Sequence, residues 1–205
     1  MKKLFLASSF SDVANLFEDF ANTNIKGKKV TFIPTASIPE EVKFYVDEDR
    51  DALEKLGMII DVLEISTATS DEISEKLRHN DFIFISGGNT FFLLQELKRT
   101  GADRIIIEQI EAGKIYIGVS AGSVIMSPDI EYIKDMDDVA KAPYLKSYSA
   151  LNVVNFYPLP HYTNYPFTEA VEKIISEYNS RLKLYPISNS QVISAKEDNV
   201  EIKHS

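Results

Sequence analysis

The chain has 205 residues, 44% hydrophobic and 26% charged, which is ordinary for one globular domain with a buried core. It contains no cysteine, so disulfides, thiolate metal ligands and a cysteine nucleophile are excluded. A formal net charge of −9 disfavours binding to nucleic acid or to an anionic membrane, and no apolar stretch approaches the roughly 20 residues needed to span a bilayer. We therefore expect residues 1–205 to form one cytoplasmic domain.

Short apolar runs that suit buried strands alternate with stretches of helical periodicity. The first run, residues 3–7, stops at Ser8, too early for a secretory signal, so a strand is the better interpretation. Strands are expected at residues 3–7, 30–34, 58–65, 82–85, 115–117, 153–156, 182–186 and 191–194. Helices are expected around residues 13–20, 40–56, 71–79, 90–99, 103–112 and 168–178, and the tail at 196–203 suits a hairpin turning at Asp198-Asn199. This alternation predicts a three-layer α/β fold, with a mostly parallel sheet covered by helices on both faces.

Gly118, Ser120 and Gly122 form a G-x-S-x-G pattern between the strand expected at 115–117 and an apolar segment, 123–126, that can begin a helix. A nucleophile elbow has this context, because a sharp strand-to-helix turn presents the serine Oγ at the carboxyl end of a sheet. The amide of Ala121 would face negative charge developing on a substrate. An ordinary turn of small residues can have the same sequence pattern, but the flanking strand and helix favour Ser120 as a nucleophile.

A second glycine loop, Ser86-Gly87-Gly88-Asn89-Thr90, follows the strand expected at 82–85 and opens a helix. Because adjacent glycines let the backbone approach a ligand closely, the Gly88 amide is predicted to complete an oxyanion hole with Ala121. Gly87 and Asn89 are candidate substrate contacts, with Asn89 ordering the loop and Thr90 capping the helix. A tight turn and a phosphate-binding or nucleotide-binding loop are the alternatives, although neither phosphate-loop pattern is satisfied.

Three histidines are candidates for a general base. His79 ends a polar helix, where a cation is favourable, and His204 lies one residue from the C-terminus, where chains commonly fray. His161 follows the strand expected at 153–156 through a loop stiffened by prolines, so we expect it where a strand of the same sheet ends. Elimination and position favour His161 as the base.

A third group should fix the imidazole tautomer, and chemistry alone does not choose it. Residues 129–150 show little periodicity, and a loop of this length commonly carries function. The candidate carboxylates are Asp129, Glu131, Asp135, Asp137, Asp138, Glu169, Glu172, Glu177, Glu197, Asp198 and Glu201.

Four segments together resemble the aspartyl dipeptidase (dipeptidase E) and cyanophycinase family of serine peptidases. The run FISGGNTFFLL at 84–94 resembles the family signature GGGNTF-x-LL, and YIGVSAGS at 116–123 matches its Y-x-G-x-SAG elbow. Asp135-Met136 matches an Asp-Met pair, and LPHYTN at 159–164 matches a P-H-F-T-N segment. These matches run in order from about residue 82 to 164, so the combination is more specific than any one piece.

The resemblance implies a class I glutamine-amidotransferase-like, flavodoxin-related fold and a metal-independent exopeptidase without a cofactor. It carries over Ser120 as nucleophile, His161 as base, and Gly88 with Ala121 as oxyanion donors. Asp135 carries over as a residue associated with activity in the family.

The chain departs from the family pattern at two points. The family has its triad glutamate in a loop after the penultimate strands, whereas residues 185–191 contain no carboxylate and Asn189 is the best match. No arginine after His161 matches one that would hold a substrate aspartate, which argues against a strict preference for N-terminal aspartate.

Taken together, these patterns predict a serine-type exopeptidase of small peptides, acting as a monomer or homodimer. The alternative is a catalytically weak or inactive family member that binds a small peptide or metabolite in the same pocket. The missing carboxylate motivates this alternative.

Overall fold

The computed structural model describes residues 1–197 and 199–205, and within them nine strands and eight α-helices follow the predicted alternation. The strands are β1 (Lys3–Ala7), β2 (Lys29–Ile33), β3 (Ile59–Val62), β4 (Phe82–Ile85), β5 (Ile115–Val119), β6 (Tyr157–Leu159), β7 (Leu184–Pro186), β8 (Gln191–Lys196) and β9 (Asn199–His204). The helices are α1 (Phe10–Val13), α2 (Phe17–Ala21), α3 (Phe44–Lys55), α4 (Ser70–His79), α5 (Thr90–Thr100), α6 (Ala102–Glu111), α7 (Ala121–Val124) and α8 (Thr168–Tyr178). Short 3₁₀ turns occupy Ala14–Leu16, Thr35–Ser37, Glu131–Ile133 and Val139–Lys141.

Seven strands form one sheet in the order β3-β2-β4-β5-β1-β8-β9. The first five run parallel to one another, and β8 and β9 are antiparallel additions, so the predicted mostly parallel sheet is confirmed. In register, Ala7 of β1 faces Val119 of β5, and Ile85 of β4 faces Gly118. The carboxyl ends of these three neighbouring strands therefore lie together at one edge of the sheet.

Successive residues of each central strand face opposite layers of helices. In β1, Leu4 and Leu6 pack into the core beneath α4, α5, α6, α7 and α8, whereas Phe5 and Ala7 pack into the core beneath α1, α2 and α3. The full burial of β4 on both faces follows from this arrangement, since Phe82 is 3% exposed and Ile83 is 0% exposed. The three-layer α/β fold is confirmed.

The prediction of a strand at residues 153–156 is wrong. The amides of Val153 and Val154 donate to the carbonyl of Met126, at 2.9 and 3.2 Å, so this β-rich segment closes a loop after α7 instead of pairing in a sheet. The strand begins at Tyr157, and β6 pairs in parallel with β7 in a separate two-stranded sheet.

Smaller differences occur at other element ends. Helix α3 begins at Phe44, four residues later than the predicted start, and Gly57 beyond it has a φ of +80°, as expected for a helix C′ residue. The predicted tail hairpin forms between β8 and β9, although Asp198 of its turn lies outside the described residues. Among the helices that the structure describes, none has the length and apolar character needed to cross a membrane.

Candidate active site

Ser120 occupies a strained turn between β5 and α7. Its φ and ψ are 48° and −108°, a conformation that a residue with a side chain rarely adopts, and its amide donates to the Ala7 carbonyl at 3.0 Å. A Cβ added at Gly118 would overlap the Gly122 carbonyl, and one added at Gly122 would overlap the Ile85 carbonyl. Both glycines of the pattern are therefore required by the close backbone packing around the Ser120 turn.

Ser123, the serine three residues after Ser120, has a structural role. It is fully buried, and its Oγ lies 2.8 Å from the carbonyl oxygens of both Ala7 and Gly118. The Ser123 hydroxyl therefore donates to backbone carbonyls of the protein and connects α7 to the ends of β1 and β5.

His161 meets Ser120 directly, with 3.0 Å between Nε2 and Oγ. Its imidazole stacks on the Phe167 ring at 4.6 Å, which fixes its plane. It reaches Ser120 from the small β6-β7 sheet and not from the end of a strand in the main sheet, so that part of the prediction is wrong. The other two histidines serve elsewhere, since His79 Nδ1 bonds the Glu75 carbonyl at 2.9 Å and His204 is paired with Gln191 at the end of β9 instead of frayed.

The other imidazole nitrogen of His161 faces Asn189 and Ser8. Nδ1 lies 3.0 Å from Asn189 Oδ1 and 3.0 Å from Ser8 Oγ. The Ser8 hydroxyl donates to Asn189 Oδ1 at 2.7 Å and accepts from the His161 amide at 2.8 Å. Because Asn189 Oδ1 can only accept, Nδ1 carries the proton and Nε2 is left to accept from Ser120.

Burial lowers the pKa of His161 from its usual value of 6.5, and the hydrogen bond from Nδ1 to Asn189 opposes this shift. The neutral imidazole therefore persists to lower pH than it would in water. A neutral ring with a free Nε2 is the form that can accept a proton from Ser120.

The loop between β4 and α5 borders the Ser120 hydroxyl. Gly88 has a φ of +131°, and a Cβ there would overlap the Ala36 carbonyl, so only glycine fits. A Cβ at Gly87 would lie 3.3 Å from the Ser120 Cβ, which brings this loop beside the elbow. The amides of Gly88 and Ala121 belong to the two segments that adjoin Ser120.

Asn89 orders this loop through both ends of its amide. Its Oδ1 accepts from the Phe92 amide at 2.9 Å, and its Nδ2 donates to the Asp138 carbonyl at 3.0 Å. The helix cap is therefore Asn89, and the prediction that Thr90 caps α5 is wrong. The polar atoms of Asn89 already have these partners within the protein.

Asp135 does not lie at the site. Its Oδ1 forms an ion pair with Lys173 of α8 at 2.6 Å, and it is not part of the cleft around Ser120. Asp137, two residues later, does line the cleft and accepts from the Thr90 amide at 2.8 Å. Over residues 1–197 and 199–205, no candidate carboxylate hydrogen-bonds to His161, and Asn189 occupies that position. Asp198, one of those candidates, is outside the described residues.

Ser8 is the site residue that sequence reasoning missed. It is 1% exposed and comes directly after β1, next to the strand that carries the elbow. A hydroxyl immediately after a buried strand, at the same sheet edge as Ser120, was the available signal.

These groups open into a cleft of about 710 Å³ whose walls include Ser8, Gly87, Gly88, Ser120, His161 and Asn189. In the part of the chain that the structure describes, no group of three or more Asp, Glu or His side chains is arranged to hold a metal ion. The arrangement suits acyl transfer, since it joins a hydroxyl and a base in hydrogen-bond contact within one cleft.

Comparison with known proteins gives consistent matches. The model of Peptidase family S51 matches residues 4–203. An uncharacterized peptidase of Listeria monocytogenes is 58% identical over 193 residues, covering 94% of each chain. Peptidase E of Shewanella amazonensis is 38% identical over 134 residues, covering 65% of this chain and 54% of that protein. A crystal structure of a Listeria monocytogenes protein, provisionally described as a Peptidase E, superimposes with a TM-score of 0.96 at 56% identity, covering 100% of this chain and 99% of the other.

Proposed function

The chain belongs to peptidase family S51, and on that premise we propose that it is a serine-type exopeptidase that cleaves small peptides through an acyl-enzyme on Ser120. The observation that carries the proposal is the 3.0 Å contact between Ser120 Oγ and His161 Nε2 at a strained turn inside a cleft. A cleft of about 710 Å³ suits a ligand the size of a short peptide, which supports a small substrate.

In the proposed reaction, Ser120 Oγ attacks the scissile carbonyl carbon while His161 Nε2 takes the hydroxyl proton. The amides of Gly88 and Ala121 donate to the oxyanion, and each such donor typically stabilises the transition state by about 3–4 kcal/mol. His161 then gives its proton to the leaving amine as the C–N bond breaks. A water molecule, deprotonated by His161, attacks the ester and returns Ser120 to its free form.

Asn189 fills the position of the acid in this scheme. Its oxygen holds the Nδ1 proton and so fixes the tautomer, but a neutral amide stabilises the imidazolium less than a carboxylate does. The same observation favours the second candidate function, a catalytically weak or inactive family member that binds a small peptide or metabolite. Replacing Asn189 with Glu separates the two, because a large gain in hydrolysis favours the weak enzyme.

We include a cytoplasmic location in the proposal. The apolar segment at residues 3–7 is strand β1, which lies between β5 and β8 in the sheet and so is part of the fold. Fractionation of cells that express the tagged chain tests this, and recovery outside the cytoplasm contradicts it.

Fluorophosphonate labelling tests the proposed nucleophile. Wild-type protein should label with a single adduct, Ser120→Ala should not label, and His161→Gln should label far more slowly because the base is lost. Ser176→Ala, which removes an exposed hydroxyl on α8, is the matched control and should label like wild type. Wild-type protein that never labels, or Ser120→Ala that still does, contradicts the proposal.

A further inference from the structure

The cleft around Ser120 has a strongly acidic wall. Its charged lining consists of six carboxylates and one ammonium group: Asp12, Glu40, Glu48, Asp49, Asp137 and Asp138 against Lys141. Across the described residues, none of the six carboxylates has a salt-bridge partner. Carboxyl groups without a cationic partner, gathered around a concave and low-dielectric surface, create a potential that favours a bound cation.

Tyr45 provides a second, independent indication that this wall binds a polar group. Its phenol oxygen is buried and has no hydrogen-bond partner among the residues that the structure describes. Burial raises the pKa of Tyr45 to about 12, and the negative charges of Glu40, Asp137 and Asp49 add to the shift. Buried polar groups are nearly always hydrogen-bonded in folded proteins, so a phenol oxygen in the cleft wall among carboxylates suits an N–H donor from a bound molecule.

Asp49 and Asp137 also lack a counter-charge. Asp49 is 2% exposed, and its hydrogen bond from the Ser86 hydroxyl is long, at 3.4 Å. Burial raises the pKa of Asp49 well above its usual value, and burial raises the pKa of Asp137 to about 6 although the Thr90 amide donates to it. A cation bound nearby would stabilise the ionised form of both carboxyl groups.

These groups adjoin the proposed nucleophile. A Cβ added at Gly87 would lie 3.3 Å from Ser120 Cβ on one side and 3.7 Å from the Tyr45 ring on the other. Tyr45, which lines the same cleft as the six carboxylates, is therefore separated from Ser120 by a single glycine.

We propose that the cleft selects peptides that carry a lysine or arginine side chain beside the bond attacked by Ser120, with the cationic group held by Glu40, Asp137 and the Tyr45 phenol. The cleavage rests on the proposed function, whereas the recognition of the cation stands on the cleft wall alone. The same wall repels an aspartate side chain at this position, since like charges without a cationic partner destabilise binding.

Binding to Ser120→Ala protein, measured by titration calorimetry, tests the recognition without requiring hydrolysis. The peptides are Lys-Ala and Arg-Ala, with norleucine-Ala as the neutral match in shape and Asp-Ala as the acidic counterpart. Because all four carry an α-ammonium group, differences in affinity isolate the side chain. We expect the basic peptides to bind at least about tenfold more tightly than norleucine-Ala, the size of one charge-assisted hydrogen bond, and the preference to shrink as salt rises.

Two substitutions connect the preference to the wall. Glu40→Gln in the Ser120→Ala background should weaken Lys-Ala binding about tenfold and leave norleucine-Ala unchanged. Glu41→Gln removes an exposed neighbouring carboxylate that is not part of the cleft wall, and it should change neither affinity. Thermal denaturation of each variant checks that it is folded, and Tyr45→Phe provides a second variant that preserves the shape of the wall.

The outcomes separate this inference from the proposed function. Equal affinity for Lys-Ala and norleucine-Ala, tightest binding of Asp-Ala, or no binding of any dipeptide overturns the inference. Hydrolysis by wild-type protein is scored separately: cleavage of neutral and basic dipeptides at equal rates defeats the inference but supports the exopeptidase. Selective binding of basic dipeptides without cleavage supports the inference and defeats the exopeptidase.

Discussion

Replacing Ser8 with Ala should weaken both the fold and the reaction, although Ser8 does not contact the proposed point of attack. Its hydroxyl donates to Asn189 Oδ1 at 2.7 Å and accepts from the His161 amide at 2.8 Å. At about 1 kcal/mol net for each bond, plus the cost of leaving the His161 amide unsatisfied, the free energy of unfolding should fall by about 2–3 kcal/mol. For a domain of this size, that is a fall in Tm of roughly 4–12 °C.

The kinetic effect should appear in kcat more than in KM, because the hydroxyl holds the base and its partner in position. We expect kcat to fall about 10- to 100-fold, as for other small displacements of catalytic groups. Urea denaturation and steady-state hydrolysis measure the two effects, with Ser8→Thr expected to restore part of each and Ser176→Ala as the exposed control. A Ser8→Ala protein within about 0.5 kcal/mol of wild type and with unchanged kcat would refute the reasoning.

Three further predictions concern pH and packing. Burial lowers the pKa of His161, so the acid limb of the pH profile of kcat/KM in wild type should lie below pH 6.5. Asn189→Glu should move this limb to higher pH, because a carboxylate stabilises the imidazolium. A profile that does not move would contradict the role of Asn189. Burial raises the pKa of the folded Asp137 carboxyl from 3.8 to about 6, so its contribution to stability is present below pH 3.8 and is lost as pH rises through about 6. In Asp137→Asn, the free energy of unfolding should therefore fall by up to about 3 kcal/mol less than in wild type between pH 4 and 7, as measured by urea denaturation. The same pH dependence in both proteins would contradict this prediction. Gly122→Ala should lower the free energy of unfolding by about 3 kcal/mol or prevent folding, because the added Cβ would overlap the Ile85 carbonyl. Gly27→Ala, at a position with open space around it, should lower the free energy of unfolding by only about 1 kcal/mol. Equal losses in the two variants would contradict the close packing at Gly122.

Periodicity predicted most of the fold because the sheet is covered on both faces. Strand β4 is apolar at every position, and its alternate residues are buried in different cores, so no other element suits it. Periodicity gave a wrong prediction at residues 153–156, because the β-branched and aromatic residues there express only a local preference for strand. The amides of Val153 and Val154 bond the Met126 carbonyl, a tertiary contact that local propensity does not encode.

The site divides in the same way. Ser120 could be identified from its neighbours, because the glycines that its turn requires are adjacent in the chain. Ser8 could not, because its place beside His161 depends on β1 lying next to β5, and strand order leaves no trace in periodicity. Asp135 and Asp137 lie in a segment without regular periodicity, so nothing in the sequence indicates that the first pairs with Lys173 while the second lines the cleft.

The covalent role of Ser120 can be measured directly by rapid-quench mass spectrometry of the protein during hydrolysis of an activated ester of a short peptide. The account predicts a transient gain equal to the acyl mass, mapped to the peptide that contains Ser120 and absent in Ser120→Ala. Product formation by wild type with no acyl adduct at any time, or with an adduct on another residue, would contradict it.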